Sequence, residues 1–266
     1  MTLRALSTAA TGMQAQSVNV DVIANNLSNV NTTGFKKQKA NFEDLLYQQL
    51  RNVGTTTATG TKIPTGLQVG VGTRLVGTQR YFDVGSLDVT NRKLDLAIDA
   101  DGFFQMRIDA AGTLGYTRDG SFTRGPNGEL MDAHGHLLEP GITIDTTVPL
   151  DNISVGPDGR VEVLVPGQTA FTQVGQITLA RFANPEGLKA MGQNLFVETN
   201  ASGAPVVDNP GLQGLGSIQQ GALETSNVDL VKELTDMIKA QRAYEINSES
   251  IKTADEMLQT AGNLRR

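Results

Sequence analysis

The sequence predicts an α+β protein, with long N- and C-terminal helices forming a coiled-coil domain and a central antiparallel β domain. Three features carry that expectation. Apolar residues recur at heptad spacing near both termini. The stretch between them holds short strand-like runs separated by Gly and Pro turns, with no helical pattern interposed. The composition agrees: 29 Gly, 5% aromatic residues and no Trp in 266 residues favour turn-rich β structure over a core of large side chains.

At the start, Leu3, Leu6, Ala10, Met13, Ser17, Val20, Ala24 and Leu27 alternate steps of three and four, and Ile23 and Val30 widen the stripe. Gly12 is the only interruption. A helix from Leu3 to Val30 would be about 42 Å long. Asn29, Asn31 and Gly34 tolerate left-handed backbone and are expected to end it. Asn25 and Asn26 are assigned to contacts between subunits, because a seam Asn can hydrogen-bond across helices and fix register.

The far end repeats the plan. Ser226 or Asn227 is the expected N-cap, with Asp229 in the first turn. Met237, Tyr244, Ile251 and Leu258 recur every seven residues, and Ala240, Asn247, Ala254 and Ala261 form a companion column. Polar residues in both seams make an isolated helix pair marginal, so the ends are expected to order against neighbouring copies. The seam residues Leu6, Met13, Val20, Leu27, Met237, Tyr244, Ile251 and Leu258 are therefore the candidate assembly contacts.

In the middle, strands are expected at 94–98, 103–108, 153–155, 161–165 and 176–182. Gly125-Pro126-Asn127-Gly128 and Gly156-Pro157-Asp158-Gly159 share one turn pattern. Pro presets the first central φ, Asn or Asp suits the next position, and Gly takes the positive φ that follows. The expected division is a terminal-helix domain of residues 1–34 and 222–266, an extended connection over 35–82, and the β domain over 83–221. Within the connection, 47–64 is too rich in Thr and Gly to build a core.

Several function classes are disfavoured. The formal charge of −6 and the lack of a basic run argue against nucleic-acid binding. Cysteine is absent, which removes disulfides and thiolate chemistry. No apolar run reaches the roughly 20 residues of a spanning helix, and the N-terminus lacks the apolar region of a cleaved signal peptide. No phosphate-binding or nucleophile-elbow motif occurs, so no catalytic or cofactor-binding residue is expected. His134-Gly135-His136 beside Asp132 reads as a turn rather than a metal centre, since spacing fixes no further strong ligand. Asp99-Ala100-Asp101-Gly102 lacks the later acidic ligands of a calcium loop. Lys36-Lys37-x-Lys39 reads as a solvated face.

Two longer motifs carry a resemblance. The run Ala24-Asn25-Asn26-Leu27-Ser28-Asn29-Val30-Asn31-Thr32-Thr33-Gly34-Phe35-Lys36 resembles the N-terminal signature of the rod and hook family of flagellar axial proteins. The runs from Gly221 to Leu230 and from Gln241 to Ser248 resemble that family's C-terminal half. Asp101–Phe104 and Tyr116–Phe122 are similar to its β domain. Length and the 47–64 stretch make the match closest to the distal-rod members, with hook-type subunits and secreted coiled-coil adhesins with a β head as alternatives.

The resemblance implies a non-enzymatic structural subunit without cofactors, polymerising with itself. The terminal helices would line a tube and the β domains would clothe it. The implied partners are proximal-rod proteins, the hook protein, the P and L ring proteins and the flagellar export apparatus, with neither nucleic acid nor membrane insertion. The implied location is the basal-body rod crossing the periplasm, reached by type III export without a cleaved signal peptide. Tyr47, Thr55, Thr56, Thr57, Gly60 and Pro64 mark an insertion in the position of the distal-rod one, expected to strap neighbours together and keep the rod stiff.

Overall fold

The computed structural model describes residues 2–52, 65–109 and 112–263. The Thr55–Thr57, Gly60 and Pro64 positions of the expected strap lie outside the described residues. The chain divides into two compact units, one of residues 1–27, 38–79 and 229–266 and the other of residues 28–37 and 80–228.

The first unit contains both long helices. Helix α1 spans Thr2–Ser28 and helix α2 spans Leu230–Asn263. The α1 helix stops where the Asn-rich segment begins, and Thr32 N–H bonds back to Asn29 O at 3.1 Å. At the start of α2 the cap differs from expectation. Asp229, not Ser226 or Asn227, accepts from the free N–H groups of the first turn, Val231 N at 3.0 Å and Lys232 N at 3.1 Å. Asn227 has other work, described below. Beside the helices, the strand Gln38–Asp44 pairs with Thr73–Arg80, and Gln48–Arg51 pairs antiparallel with Leu67–Val69.

The second unit is antiparallel throughout its named strand pairs. Its largest sheet centres on Phe103–Arg107, flanked by Leu114–Thr117 and Leu137–Glu139, with Leu179–Arg181 meeting its first residues. A three-stranded sheet joins Ile153–Val155, Arg160–Val163 and Thr172–Gln176. Leu96–Asp99 pairs with Ser217–Gln220, and Leu87–Val89 with Ala222–Glu224.

The strand expected over 176–182 is two strands. The chain leaves the three-stranded sheet at Gln176 and joins the larger one at Leu179. Its apolar run suits either partner, and Ile177 at the crossover is fully buried. The aliphatic core runs from Leu96 and Ile98 through Phe104, Met106, Ile142 and Ile144 to Val161 and Ile177. Several aromatics gather in a second cluster, where Phe82 meets Phe103 and Phe196, Phe103 meets Phe182 and Phe196, and Tyr116 meets Phe182, all edge to face at centroid distances of 4.7–6.2 Å.

Both Gly-Pro turns form as their pattern requires. Gly128 and Gly159 sit at φ 86° and 85°. Gly125 N–H bonds Glu129 O and Gly156 N–H bonds Arg160 O, both at 2.8 Å, closing the two hairpins. Each positive-φ Gly then accepts a hydrogen bond at 2.8 Å from the N–H of a core Ile, Ile144 in one case and Ile177 in the other.

Candidate assembly interface

Within the first unit, α1 and α2 meet in antiparallel register. Asn26 Nδ2 donates to Glu233 Oε2 at 3.2 Å. Two heptads away on each helix, a Cβ at Gly12 would stand 2.9 Å from Asn247 Nδ2. The buried column of α2 is Glu233, Ala240 and Ala254, with Asn247 half-buried in the same heptad position. On α1 the buried residues are Ala9, Ala15, Val22, Ile23 and Asn26.

The residues expected to make assembly contacts stand beside this intrachain contact. Leu6, Met13, Val20 and Leu27 on α1 are half-buried, as are Met237 and Ile251 on α2, while Tyr244 and Leu258 are exposed. The Met237 column lies four residues beyond the Glu233 column, about 40° round the helix. The seam between the helices is thus built from small and polar residues, and the large apolar residues line its flanks. Ser17, Val20 and Asp21 on α1 and Gln241, Tyr244 and Glu245 on α2 border an open groove there. Farther round α2, Val231, Leu234 and Ile238 step by three and four and are all exposed, Val231 at 73%. A contiguous apolar stripe of this kind marks an interaction surface.

Asn26, assigned above to contacts between subunits, is engaged inside the chain. Its Nδ2 also donates to Gln38 O at 2.8 Å, and its Oδ1 accepts from Gln38 N at 2.9 Å, as a neighbouring strand would. Asn25 is exposed. Tyr47 is exposed too, as are Leu46 and Leu50 beside it in sequence and Leu67 on the paired strand, so the described flanks of the 47–64 stretch form a two-stranded ribbon with apolar residues turned to solvent.

In the second unit the two terminal motifs converge on a buried ion cluster. Lys36, expected on a solvated face, is 1% exposed. Its Nζ donates to Glu224 Oε1 at 2.5 Å and to Asp83 O at 2.6 Å. Arg118 Nε donates to Glu224 Oε2 at 2.7 Å, and Gly85 N–H to Oε1 at 2.8 Å. Arg118 Nη1 spans Ala100 O and Gly102 O, both at 2.7 Å. The carbonyls of the calcium-like segment therefore hold a guanidinium. Burial pushes the Glu224 carboxyl up, but Arg118 and then Lys36 outweigh it, and it ends below its ordinary value. Burial also lowers Lys36, more than the attraction of Glu224 raises it, and Arg118 adds to the lowering.

The same motifs supply a second knot. Asn227 Oδ1 accepts from Lys37 N at 2.8 Å, while its Nδ2 donates to Tyr81 O at 3.0 Å; Tyr81 N in turn donates to Lys37 O at 3.0 Å. Gly34 at φ 66° passes so close to the Arg118–Asp119 peptide that a Cβ would approach Arg118 C within 2.7 Å. Sequence reasoning flagged these motifs without assigning Lys36, Arg118 or Glu224 any role. The available signal was charged residues inside otherwise small and polar signatures.

Comparison with known proteins agrees with this geometry. Residues 6–36 match the flagella basal body rod protein model, residues 97–163 the flagellar hook protein FlgE/F/G D1 domain, and residues 219–264 the C-terminal domain of flagellar basal body rod FlgEFG proteins. The chain is 48% identical to the flagellar basal-body rod protein FlgG of Borreliella burgdorferi over 264 residues, covering 99% of each. It is 45% identical to that of Caulobacter vibrioides, covering 99% of this chain and 100% of the relative, and 39% identical to that of Bacillus subtilis with the same coverage. The N-terminal and C-terminal matches contain Lys36 and Glu224, and the central match contains Arg118. The chain belongs to the flagellar basal-body rod protein family, among its distal-rod members.

Proposed function

We propose that this structural rod subunit polymerises through its two helices into the stiff distal rod that carries torque from motor to hook. The observation that carries the reading is the second apolar stripe of α2, Val231–Leu234–Ile238, which is exposed although α2 already buries another column against α1. A helix with apolar residues on two sides calls for two partners, and a second copy supplies one. Contacts between unlike surfaces repeat without closing and build a filament.

In this reading residues 1–34 and 222–266 line the tube as a coiled coil, with Leu6, Met13, Val20, Asn25, Leu27, Met237, Tyr244, Ile251 and Leu258 as contacts between copies. Residues 83–221 form the outer β layer and 35–82 the connection. The role is structural rather than catalytic. Its partners are proximal-rod proteins, the hook protein, the ring proteins and the export apparatus, and its place is the rod in the periplasm. The 47–64 stretch straps adjacent copies, supported by the exposed apolar residues on its described flanks. Deleting 47–64 should leave polymerisation largely intact and yield a flexible or curved tube, and straight rods of normal form would reduce the stretch to a linker.

The main test uses Val231→Asp with Ile238→Asp. Both side chains are exposed in the single chain, so the subunit should fold as before. Electron microscopy of basal bodies from cells carrying only the variant should show no distal rod. Normal rods would refute this role for the stripe.

A further inference from the structure

The hairpin between the strands Leu130–Met131 and Leu137–Glu139 gathers three groups able to ligate a metal. Asp132 N–H bonds His136 O at 3.0 Å, Gly135 N–H bonds Asp132 O at 3.2 Å, and Gly135 takes φ 90°. This is the turn also used at Gly128 and Gly159, with Asp132, Ala133 and His134 in place of the Gly, Pro and Asn or Asp of those turns and His136 following the Gly. The geometry has two consequences. Asp132 Oδ1 accepts from His134 N at 2.8 Å and His136 N at 2.9 Å, which fixes the carboxylate and leaves Oδ2 facing the rings. The positive φ of Gly135 brings the two imidazoles onto one side, stacked with centroids 6.0 Å apart and planes at 29°.

We propose that Asp132, His134 and His136 form a binding site for a divalent ion of the zinc type. Oδ2 of Asp132 lies 2.8 Å from His136 Nδ1 and 3.8 Å from His134 Nδ1, and one ligand atom from each of the three residues falls within 4.8 Å of the others. A tetrahedral zinc ion at ordinary bond lengths separates its ligands by about 3.4 Å, between those two distances. Small rotations of the rings complete the set. Two imidazoles and a carboxylate suit zinc and its first-row neighbours, whereas calcium and magnesium favour all-oxygen shells. His136 and Asp132 are largely buried and His134 is 47% exposed, so the site is held from below and open to solvent on one side, leaving room for a fourth ligand. On binding, the ion takes the place of the proton shared by His136 Nδ1 and Asp132 Oδ2, and the neutral imidazole carries its proton on Nε2. The backbone N–H groups bonded to Oδ1 act as the outer support that such sites need. The sequence places Asp132 beside the His pair in a turn, but spacing alone does not fix it as a ligand; the fold does, because the turn aims Asp132 at both rings.

The experiment is calorimetric titration of the full chain with zinc chloride, with thermal unfolding measured in parallel. The wild type should take up one equivalent, and zinc should raise its unfolding temperature. His134→Ala and His136→Ala should each weaken binding by at least the roughly 10- to 100-fold typical of losing even an outer-shell partner. The double variant should show no zinc-dependent shift. The backbone hydrogen bonds to Asp132 do not involve the imidazoles, so both variants should keep the wild-type circular dichroism spectrum. Absence of zinc binding by the wild type, or undiminished one-equivalent binding by the double variant, would overturn the assignment.

Discussion

Glu224→Ala tests whether the ion cluster holds the β unit together. The substitution removes the acceptor of Lys36 Nζ, Arg118 Nε and Gly85 N–H at one stroke. Both cations are at least 97% buried, so neither can recover its hydration without opening the fold. Breaking a buried ion pair by removing one partner costs about 3–5 kcal/mol. Here one carboxylate balances two cations, so the upper half of that range is expected. For a unit of this size each kcal/mol shifts Tm by about 2–4 °C, which gives a fall of roughly 8–20 °C. Lys36→Met should cost much less. It leaves the Glu224–Arg118 pair intact and removes a cation that burial already disfavours, at the loss of its bonds to Glu224 Oε1 and Asp83 O. Thermal unfolding followed by circular dichroism ranks the two variants. A Glu224→Ala chain melting within about 2 °C of wild type, or Lys36→Met melting below Glu224→Ala, would refute the reasoning.

Four further outcomes follow from the structure. The Glu224 carboxyl is held below its ordinary value, so its contribution is in place above the unfolded pKa and is lost as pH falls through the folded one; acid unfolding of wild type should extend below the usual carboxylate range, and Glu224→Gln should lose that dependence. Gly128→Ala and Gly159→Ala should each destabilise by more than Gly167→Ala in denaturant titrations: all three have positive φ, but a Cβ would stand 2.2 Å from Ile144 O and 2.5 Å from Ile177 O at the first two and meets nothing at Gly167. Gly12→Ala should be neutral or stabilising by up to about 1 kcal/mol, because the Asn247 amide can rotate away and Ala favours helix, whereas Gly12→Leu should separate α1 from α2 and lower helicity. Asp229→Ala removes the acceptor for Val231 N and Lys232 N and should cost about 1 kcal/mol, seen as faster hydrogen exchange in the first turn of α2.

Periodicity reveals the helices, and its seam is assigned to contacts with other copies rather than to the contact the two helices make within one chain. A seam chosen by hydrophobicity selects Leu6, Met13, Val20, Leu27, Met237 and Ile251. The helices instead meet through Asn26 on Glu233 and where Gly12 faces the Asn247 side chain, and the larger residues fall to either side. Turn chemistry was local and could be read directly at Gly128 and Gly159. The ion cluster could not, because its members are far apart in the chain: Lys36 and Glu224 are separated by 188 positions and Arg118 and Glu224 by 106. A Lys in a basic run looks solvated until the fold places a carboxylate over it. The N-cap was misread for a related reason. Asn227 has the right chemistry for capping, but Lys37 and Tyr81 claim its amide, and Asp229 takes the cap.

Asn227 ties together stretches of chain that lie beside the points where the chain leaves the second unit. The chain passes between its two compact units at 27/28, 37/38, 79/80 and 228/229. Lys37, Tyr81 and Asn227 stand at or within two residues of the last three, and the Asn227 amide with the Tyr81–Lys37 bond joins them in one closed ring of hydrogen bonds. Lys36, one residue from Lys37, is anchored by Glu224, three residues before Asn227. This tie, backed by the buried ion cluster, holds three separate stretches of the second unit to one another, so none can shift without breaking bonds to the others. It also gives a physical reason for the rod signatures to end on Lys36 and to run through Glu224 and Asn227: these positions hold three separate stretches of chain to one frame.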